Sequence, residues 1–189
     1  MNNRIKTSPK RILKYSEAIA EGLSQTMDTD ESVFLVGQGV DNPWYVGQTV
    51  QGIFDRFGAS RVIDPPVSEQ AMNGAAIGAA LAGMKPVVLH PRMDFLIVGL
   101  EQIVNEAANW RYMTDGAMSV PIVFRAIINR GGEQAAQHSP GAASIFRSRT
   151  RNQNCDAASP KEAKGLLIAV IKNPDPICYI AVRITMPAS

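Results

Sequence analysis

The sequence has little cysteine, little histidine and almost no excess charge, and each shortage excludes a class of protein. Its 189 residues include two cysteines, Cys155 and Cys178, and two histidines, His90 and His138, without metal-ligand spacing. A disulfide framework and a structural zinc site are therefore excluded, and a reducing compartment is expected. Nineteen basic and seventeen acidic side chains leave a net charge of +2, too small an excess to indicate a nucleic-acid or membrane-surface partner.

Long apolar runs and the common phosphate-binding motifs are also missing. The longest apolar run, residues 74–84, is about half the length that a bilayer span requires, so we expect a soluble protein. No Gly-x-Gly-x-x-Gly follows a predicted strand, and no Gly-x-x-x-x-Gly-Lys-Ser/Thr occurs, so the chain has no recognisable phosphate cradle. Gly-x-Ser-x-Gly is absent as well, and no Ser-His-Asp set can be nominated.

What is present suits one globular domain. Hydrophobic residues make up 46% of a 20.4 kDa chain, enough to bury a sizeable core, and no repeat or linker divides it. We assign residues 13–189 to a single domain. Residues 1–15 carry five basic and no acidic side chains. We interpret residues 1–12 as a disordered basic tail, and a short organellar presequence is the alternative.

Apolar spacing and turn residues predict helices that alternate with strands. Ser16 and Ser68 are the expected N-caps of the first and third helices, and Pro160 suits the first position of the last helix. Helices are predicted at 16–27, 50–57, 68–82, 96–111 and 160–171, and strands at 33–36, 61–64, 86–90, 120–128 and 177–182. The strands are almost continuously apolar, which is typical of a parallel sheet covered on both faces. The predicted fold class is therefore a three-layer α/β/α domain with a mainly parallel sheet.

In such sheets ligands bind beyond the carboxyl ends of the strands, in loops such as 37–41, 64–69, 90–95 and 129–139. Glu69 follows a double-proline loop in the first turn of a helix, where a purely structural helix-start role is the alternative. His138 lies in a glycine- and alanine-rich loop, where an imidazole could reach a ligand or have no task. Phe95 is either a core residue or a stacking platform, and His90, which ends a strand, is interpreted as structural.

The order of many short motifs resembles one family, the pyrimidine-binding domain of the β subunit of thiamine-diphosphate-dependent 2-oxo acid dehydrogenases. These enzymes include pyruvate, branched-chain and acetoin dehydrogenases. The matching runs are 33–37 (VFLVG), 57–58 (FG), 61–64 (RVID), 66–69 (PVSE), 74–83 (GAAIGAALAG), 94–95 (DF), 102–108 (QIVNEAA), 120–123 (VPIV), 137–139 (QHS) and 162–167 (EAKGLL). The resemblance implies the thiamine-diphosphate-binding fold of the transketolase-like type, and a cytoplasmic location, or the mitochondrial matrix if the source is eukaryotic.

The resemblance also implies roles for individual residues. Glu69 would hydrogen-bond to the aminopyrimidine ring of thiamine diphosphate and so help to activate the cofactor, a type of proton transfer that supplies about 10²- to 10⁴-fold in rate. Phe95 would pack against the pyrimidine, and Gln38 would lie beside the cofactor. His138 would face the substrate and the incoming lipoyl group, where it would handle protons in acyl transfer. Glu69 and His138 are thus the expected catalytic residues.

The same family implies partners. Its α-type subunit holds the diphosphate and the magnesium through a Gly-Asp-Gly motif that is absent here, so the cofactor would be shared with that subunit and this chain would hold no metal. A second copy of the chain and a lipoyl-bearing acyltransferase are the other expected partners. The small residues between 74 and 82 favour close packing against a sheet or a partner helix, including one across a subunit interface.

Three departures from the family pattern leave alternatives open. Gln38 and Gly39 replace a carboxylate pair, residues 152–158 are too polar for a central parallel strand, and the chain ends at Ser189 without the family's C-terminal domain. A non-catalytic assembly or regulatory homologue is therefore one alternative. Half of another split thiamine-diphosphate decarboxylase or transketolase-like enzyme is the other.

Overall fold

Six parallel strands form the centre of the molecule. The computed structural model describes residues 12–42, 46–130, 135, 137, 138, 145, 153–157 and 159–184, without the side chains of 129, 130, 153–156 and 182–184. The strands are β1 (Val33–Gly37), β2 (Val62–Ile63), β3 (Lys85–His90), β4 (Val123–Arg130), β5 (Gln153–Asp156) and β6 (Ile177–Ile184). Their order across the sheet is β2-β1-β3-β4-β6-β5, and every neighbouring pair is parallel.

Helices cover both faces of this sheet, which confirms the predicted three-layer α/β/α class. They are α1 (Tyr15–Thr29), α2 (Ile53–Phe57), α3 (Glu69–Leu81), α4 (Met93–Leu96), a 3₁₀ turn (Ile97–Gly99), a π-helical segment (Gln102–Ala107), α5 (Trp110–Met113) and α6 (Pro160–Ile171). None of the described helices is long and apolar enough to cross a membrane.

Two apolar cores lie on opposite faces of the sheet, because successive side chains of a strand point to opposite sides. One core packs α1, α2 and α6 against residues such as Leu35 and Val123. The other packs α3 and the segment 93–110 against residues such as Val88 and Phe124. Buried strands on both faces explain why the strand sequences lack polar alternation. One charged side chain, Arg125, is almost wholly buried within β4.

The N-terminal boundary of α1 differs from the prediction. The helix begins at Tyr15 with Lys14 as its N-cap residue, so the prediction of Ser16 as the cap is wrong. The Lys14 backbone N–H donates to the Glu17 carboxylate at 2.8 Å, so the side chain of the third helical residue satisfies the backbone N–H of the N-cap residue, as in one half of a capping box. Ser68 does occupy the N-cap of α3, although its side chain makes no capping hydrogen bond.

The predicted continuous helix at 96–111 is also wrong. The chain there forms α4, a 3₁₀ turn, a π-helical segment and α5 in succession. Gly99 lies directly against α3, and the Asn109 side chain donates to the backbone carbonyls of Val104 and Asn105. Close packing against another helix and side-chain hydrogen bonds to backbone carbonyls both interrupt the regular i to i−4 hydrogen bonding of an α-helix.

The polar stretch before α6 forms an edge strand. Among the described strands, Gln153–Asp156 pairs only with β6, which agrees with the prediction that this segment is too polar for the centre of a parallel sheet. The basic tail, except residue 12, and most of 131–152 lie outside the described residues.

Candidate functional site

The carboxyl ends of the parallel strands bring the predicted site residues to one edge of the sheet. Gln38 follows β1 directly, and Glu69 is the first residue of α3, which follows β2. Phe95 lies in α4, a few residues after the end of β3, and His138 follows β4. This is the edge at which open parallel sheets bind their ligands.

Gln38 and Glu69 form the first contact of the site. Gln38 is 6% exposed, and its Nε2 donates to Glu69 Oε1 at 3.2 Å. The N-terminus of α3 favours a carboxylate at this position because its backbone N–H groups carry partial positive charge. Gln38 thus holds one carboxylate oxygen of Glu69, and the Glu69 side chain is only half-buried.

Phe95 and His138 form the second contact. Their ring centroids are 5.1 Å apart and their planes meet at 86°, an edge-to-face arrangement. This geometry is favourable for aromatic rings because the positive edge of one ring faces the negative face of the other. Two residues that are 43 positions apart in the sequence are therefore neighbours, with the half-buried imidazole at the carboxyl end of the sheet.

A buried polar pair, Asn73 and His90, connects α3 to the end of β3 and was not identified as a pair from the sequence. His90 Nε2 is 2.9 Å from Asn73 Oδ1, and Asn73 Nδ2 donates to the Gly99 carbonyl at 3.3 Å. Burial lowers the pKa of His90 to about 3, so the ring is neutral at physiological pH. The available signal was Asn73 itself, an amide that helical spacing from Ile77 places on the buried face of α3.

Two further carboxylates, Asp41 and Asp64, lie beside Gln38. The Gly39 N–H donates to Asp64 Oδ1 at 3.0 Å. Burial, and then the neighbouring Asp41, raise the pKa of Asp64 above its usual value. Both side chains line a cavity of about 340 Å³ together with Gln38, and its described lining contains no lysine or arginine. A diphosphate would therefore meet like charge and no cation on this side of the site.

The described residues contain no group of three or more histidine, cysteine, aspartate or glutamate side chains that could hold a metal ion. The small residues of α3 divide between two environments. Met72, Ala76, Ile77 and Ala80 face the core, whereas Gly74, Ala75, Gly78 and Ala82 are exposed. Packing on the sheet therefore accounts for only two of the small residues, Ala76 and Ala80, and most of the others lie on the outer face of the helix.

Comparison with known proteins identifies the family to which the chain belongs. A family model described as the pyrimidine-binding domain of transketolase matches residues 12–187. The chain belongs to this family of transketolase-like pyrimidine-binding domains.

Relatives of known activity extend the identification. The chain is 34% identical over 168 residues to the β subunit of 2-oxoisovalerate dehydrogenase from Bacillus subtilis (strain 168), covering 89% of this chain and 51% of the relative. It is 35% identical over 182 residues to the β subunit of acetoin:2,6-dichlorophenolindophenol oxidoreductase from the same organism, covering 89% and 53%. It is 34% identical over 164 residues to the pyruvate dehydrogenase E1 component subunit β of Rhizobium meliloti (strain 1021), covering 87% and 36%. The resemblance to β subunits of 2-oxo acid dehydrogenases is thereby confirmed, and the chain spans about half the length, or less, of these relatives.

Solved structures agree with the fold. A split-gene transketolase, described as an inactive β4 tetramer, superposes with a TM-score of 0.70 at 18% identity and covers 92% of this chain and 53% of its own. The transketolase of Leishmania mexicana superposes with a TM-score of 0.71 at 16% identity, covering 88% of this chain and 25% of its own. At these identities the likeness shows the fold alone.

Proposed function

We propose that the chain is the pyrimidine-binding β-type subunit of a thiamine-diphosphate-dependent 2-oxo acid dehydrogenase. Together with an α-type partner it would decarboxylate a 2-oxo acid oxidatively and transfer the acyl group to lipoamide. The observation that carries the proposal is the Gln38–Glu69 hydrogen bond, which fixes a carboxylate at the start of α3 on the ligand-binding edge of the sheet. The membership of the family and the β-subunit relatives support the choice of cofactor.

The described residues fit the pyrimidine half of the cofactor. A carboxylate held at one oxygen can hydrogen-bond to a ring nitrogen with the other, and an aromatic ring such as Phe95 can pack against the heterocycle. When bound, thiamine diphosphate supplies the electron sink for decarboxylation. Glu69 would hold the proton at the ring nitrogen, Gln38 would orient Glu69, and Phe95 would exclude water from one face of the ring. His138 would move protons on the substrate and lipoyl side.

The residues do not fit the diphosphate half, and this mismatch supports dependence on a partner. Asp41 and Asp64 line the cavity beside Gln38, and no basic side chain is found among the described residues that line it. We therefore assign the diphosphate and its magnesium to an α-type subunit, with a second copy of this chain and a lipoyl-bearing acyltransferase as further partners. We place the assembly in the cytoplasm, or in the mitochondrial matrix if the source is eukaryotic.

A substitution of Glu69 tests the proposal. In a complex reconstituted from this chain and an α-like subunit, Glu69→Gln should lower the rate of decarboxylation by about 10²- to 10⁴-fold, because the amide cannot hold the proton. Size-exclusion chromatography should show that the complex still assembles. Glu31→Gln, which changes an exposed glutamate, is the matched control and should leave the rate unchanged. Near-normal turnover of Glu69→Gln would refute the assignment.

One observation favours a second candidate, a non-catalytic assembly or regulatory homologue. The partner of Glu69 is the neutral amide of Gln38, which can donate a hydrogen bond but cannot relay charge. Calorimetric titration of the reconstituted complex separates the candidates. Magnesium-dependent binding of thiamine diphosphate supports the enzyme, and no binding supports the non-catalytic homologue.

A further inference from the structure

The buried pair Asn73–His90 connects three elements that surround the candidate site. Asn73 lies on α3 one turn after Glu69, and His90 is the last residue of β3. Gly99, whose carbonyl accepts from Asn73, follows Phe95 by one turn of the chain. The two side chains are 0% and 1% exposed. The pair therefore joins the helix that carries Glu69 to the segment that carries Phe95.

The hydrogen bonds of the pair have a defined direction. Since Asn73 Nδ2 donates to the Gly99 carbonyl, Oδ1 is the atom that faces His90, and the imidazole must donate from Nε2. Nδ1 is then the ring nitrogen without a proton, and it has no hydrogen-bond partner among the described residues. A buried acceptor without a donor is unfavourable, so the fold retains His90 at a cost to stability.

The packing around Gly99 is too tight for a side chain. A Cβ atom at Gly99 would lie 2.1 Å from Asn73 Nδ2 and 3.3 Å from the Glu69 carbonyl oxygen. Real Cβ atoms do not approach other atoms at the first of these distances. The backbone of the 3₁₀ turn is thus held directly against the first turns of α3, and the Asn73 side chain fills the contact between them.

From this arrangement we infer that Asn73 and His90 are positioning residues that set the distance between Glu69 and the Phe95–His138 ring pair, and so the width of the slot for an aminopyrimidine ring. The inference rests on the proposed function for the identity of the ring. The geometric part of the inference is independent of the proposed function, because the contact between Phe95 and His138 exists in the protein itself.

Nuclear magnetic resonance of the full chain tests the geometry without any cofactor. The chain contains two histidines, so His90→Leu leaves His138 as the only source of imidazole signals. His90→Leu removes the donor to Asn73, and the His138 signals should move toward those of a free histidine as its contact with Phe95 loosens. His90→Gln, whose amide can donate in place of Nε2–H, should restore the wild-type His138 signals.

The matched control is Thr26→Val, which removes another buried hydrogen bond, from Thr26 to the Gly22 carbonyl in α1. It lies on the opposite face of the sheet and should destabilise the chain without moving the His138 signals. If His90→Leu does not fold, Gly99→Ala decides the question, because its Cβ must displace Asn73. Its control is Gly165→Ala, where a Cβ would meet nothing within 4 Å.

Cofactor affinity is the second measurement. In the complex reconstituted with an α-like subunit, His90→Leu should weaken binding of thiamine diphosphate by about 10-fold, the size expected when an aromatic contact with the pyrimidine ring is lost. Unchanged His138 signals in His90→Leu would overturn the inference. If His90→Leu does not fold, unchanged His138 signals in Gly99→Ala would overturn it. A wild-type complex that does not bind the cofactor would instead refute the proposed function, and the His138 signals would still decide whether the pair positions the rings.

Discussion

Arg125 should make the fold less stable than an apolar residue at the same position. The side chain is 1% exposed on β4, between Val123 and Ile127 of the core that packs against α1 and α6. Its three nitrogens have no hydrogen-bond partner among the described residues. Burial lowers the pKa of Arg125 from 12.5 to about 10, which corresponds to about 3 kcal/mol by which the folded chain disfavours the charge.

Arg125→Met removes this charge and keeps an unbranched side chain of similar length. We expect the free energy of unfolding to rise by about 1–4 kcal/mol, the range found when buried ion pairs are replaced by apolar residues of similar volume. Urea unfolding followed by circular dichroism measures the change, and the midpoint should rise without a change in slope. Arg125→Lys keeps a buried charge and should show no gain. A loss of stability in Arg125→Met would refute the reasoning and show that a counter-charge contacts the guanidinium.

Two further predictions concern other parts of the sheet. Lys85 and Ser32 lower the pKa of Asp30 from 3.8 to about 2, so this carboxylate stabilises the fold above about pH 4 and its contribution is lost as the pH falls toward 2. Between about pH 4 and pH 2 the free energy of unfolding of Asp30→Asn should therefore fall by about 1 kcal/mol less than that of the wild type. The difference is small because the Asp30–Lys85 pair is partly exposed. Equal falls in an acid-unfolding experiment would contradict this role of Asp30. In Gly37→Ala the new Cβ would lie 2.4 Å from the Leu89 carbonyl oxygen, so chemical unfolding should show a loss of about 1–3 kcal/mol, and an unchanged midpoint would contradict it.

Local sequence signals predicted the elements that are set by local contacts. Helix α6 begins at Pro160 and ends at Ile171, as predicted. Ser159 and Glu162 form a reciprocal capping box at its start, with hydrogen bonds of 3.2 Å and 3.1 Å. All of these groups lie within four residues of one another, so the boundary can be predicted from the sequence.

Elements that depend on distant contacts could not be predicted in the same way. The apolar spacing between 96 and 111 is helical, but the backbone hydrogen bonding changes from α to 3₁₀ to π where Gly99 meets α3, and spacing carries no information on that approach. The tendency of ligand-binding residues to follow the carboxyl ends of parallel strands predicted that Gln38 and Glu69 lie at one edge of the sheet. Their hydrogen bond agrees with that prediction. The pairing of Asn73 with His90 depends on how α3 lies over β3, which the period of a helix does not specify.

The short edges of the sheet limit how the chain can associate. The described sheet ends on one side in β2, which has two residues, and on the other in β5, Gln153–Asp156, which has four residues, three of them polar. Two short edge strands, one of which includes a carboxylate residue, offer few unpaired backbone groups to another strand, so they protect a folding chain against edge-to-edge aggregation. Within the described part of the chain, the helical surfaces are therefore better suited to a specific assembly than the sheet edges, because side-chain shape selects the partner there, whereas backbone hydrogen bonds accept any strand.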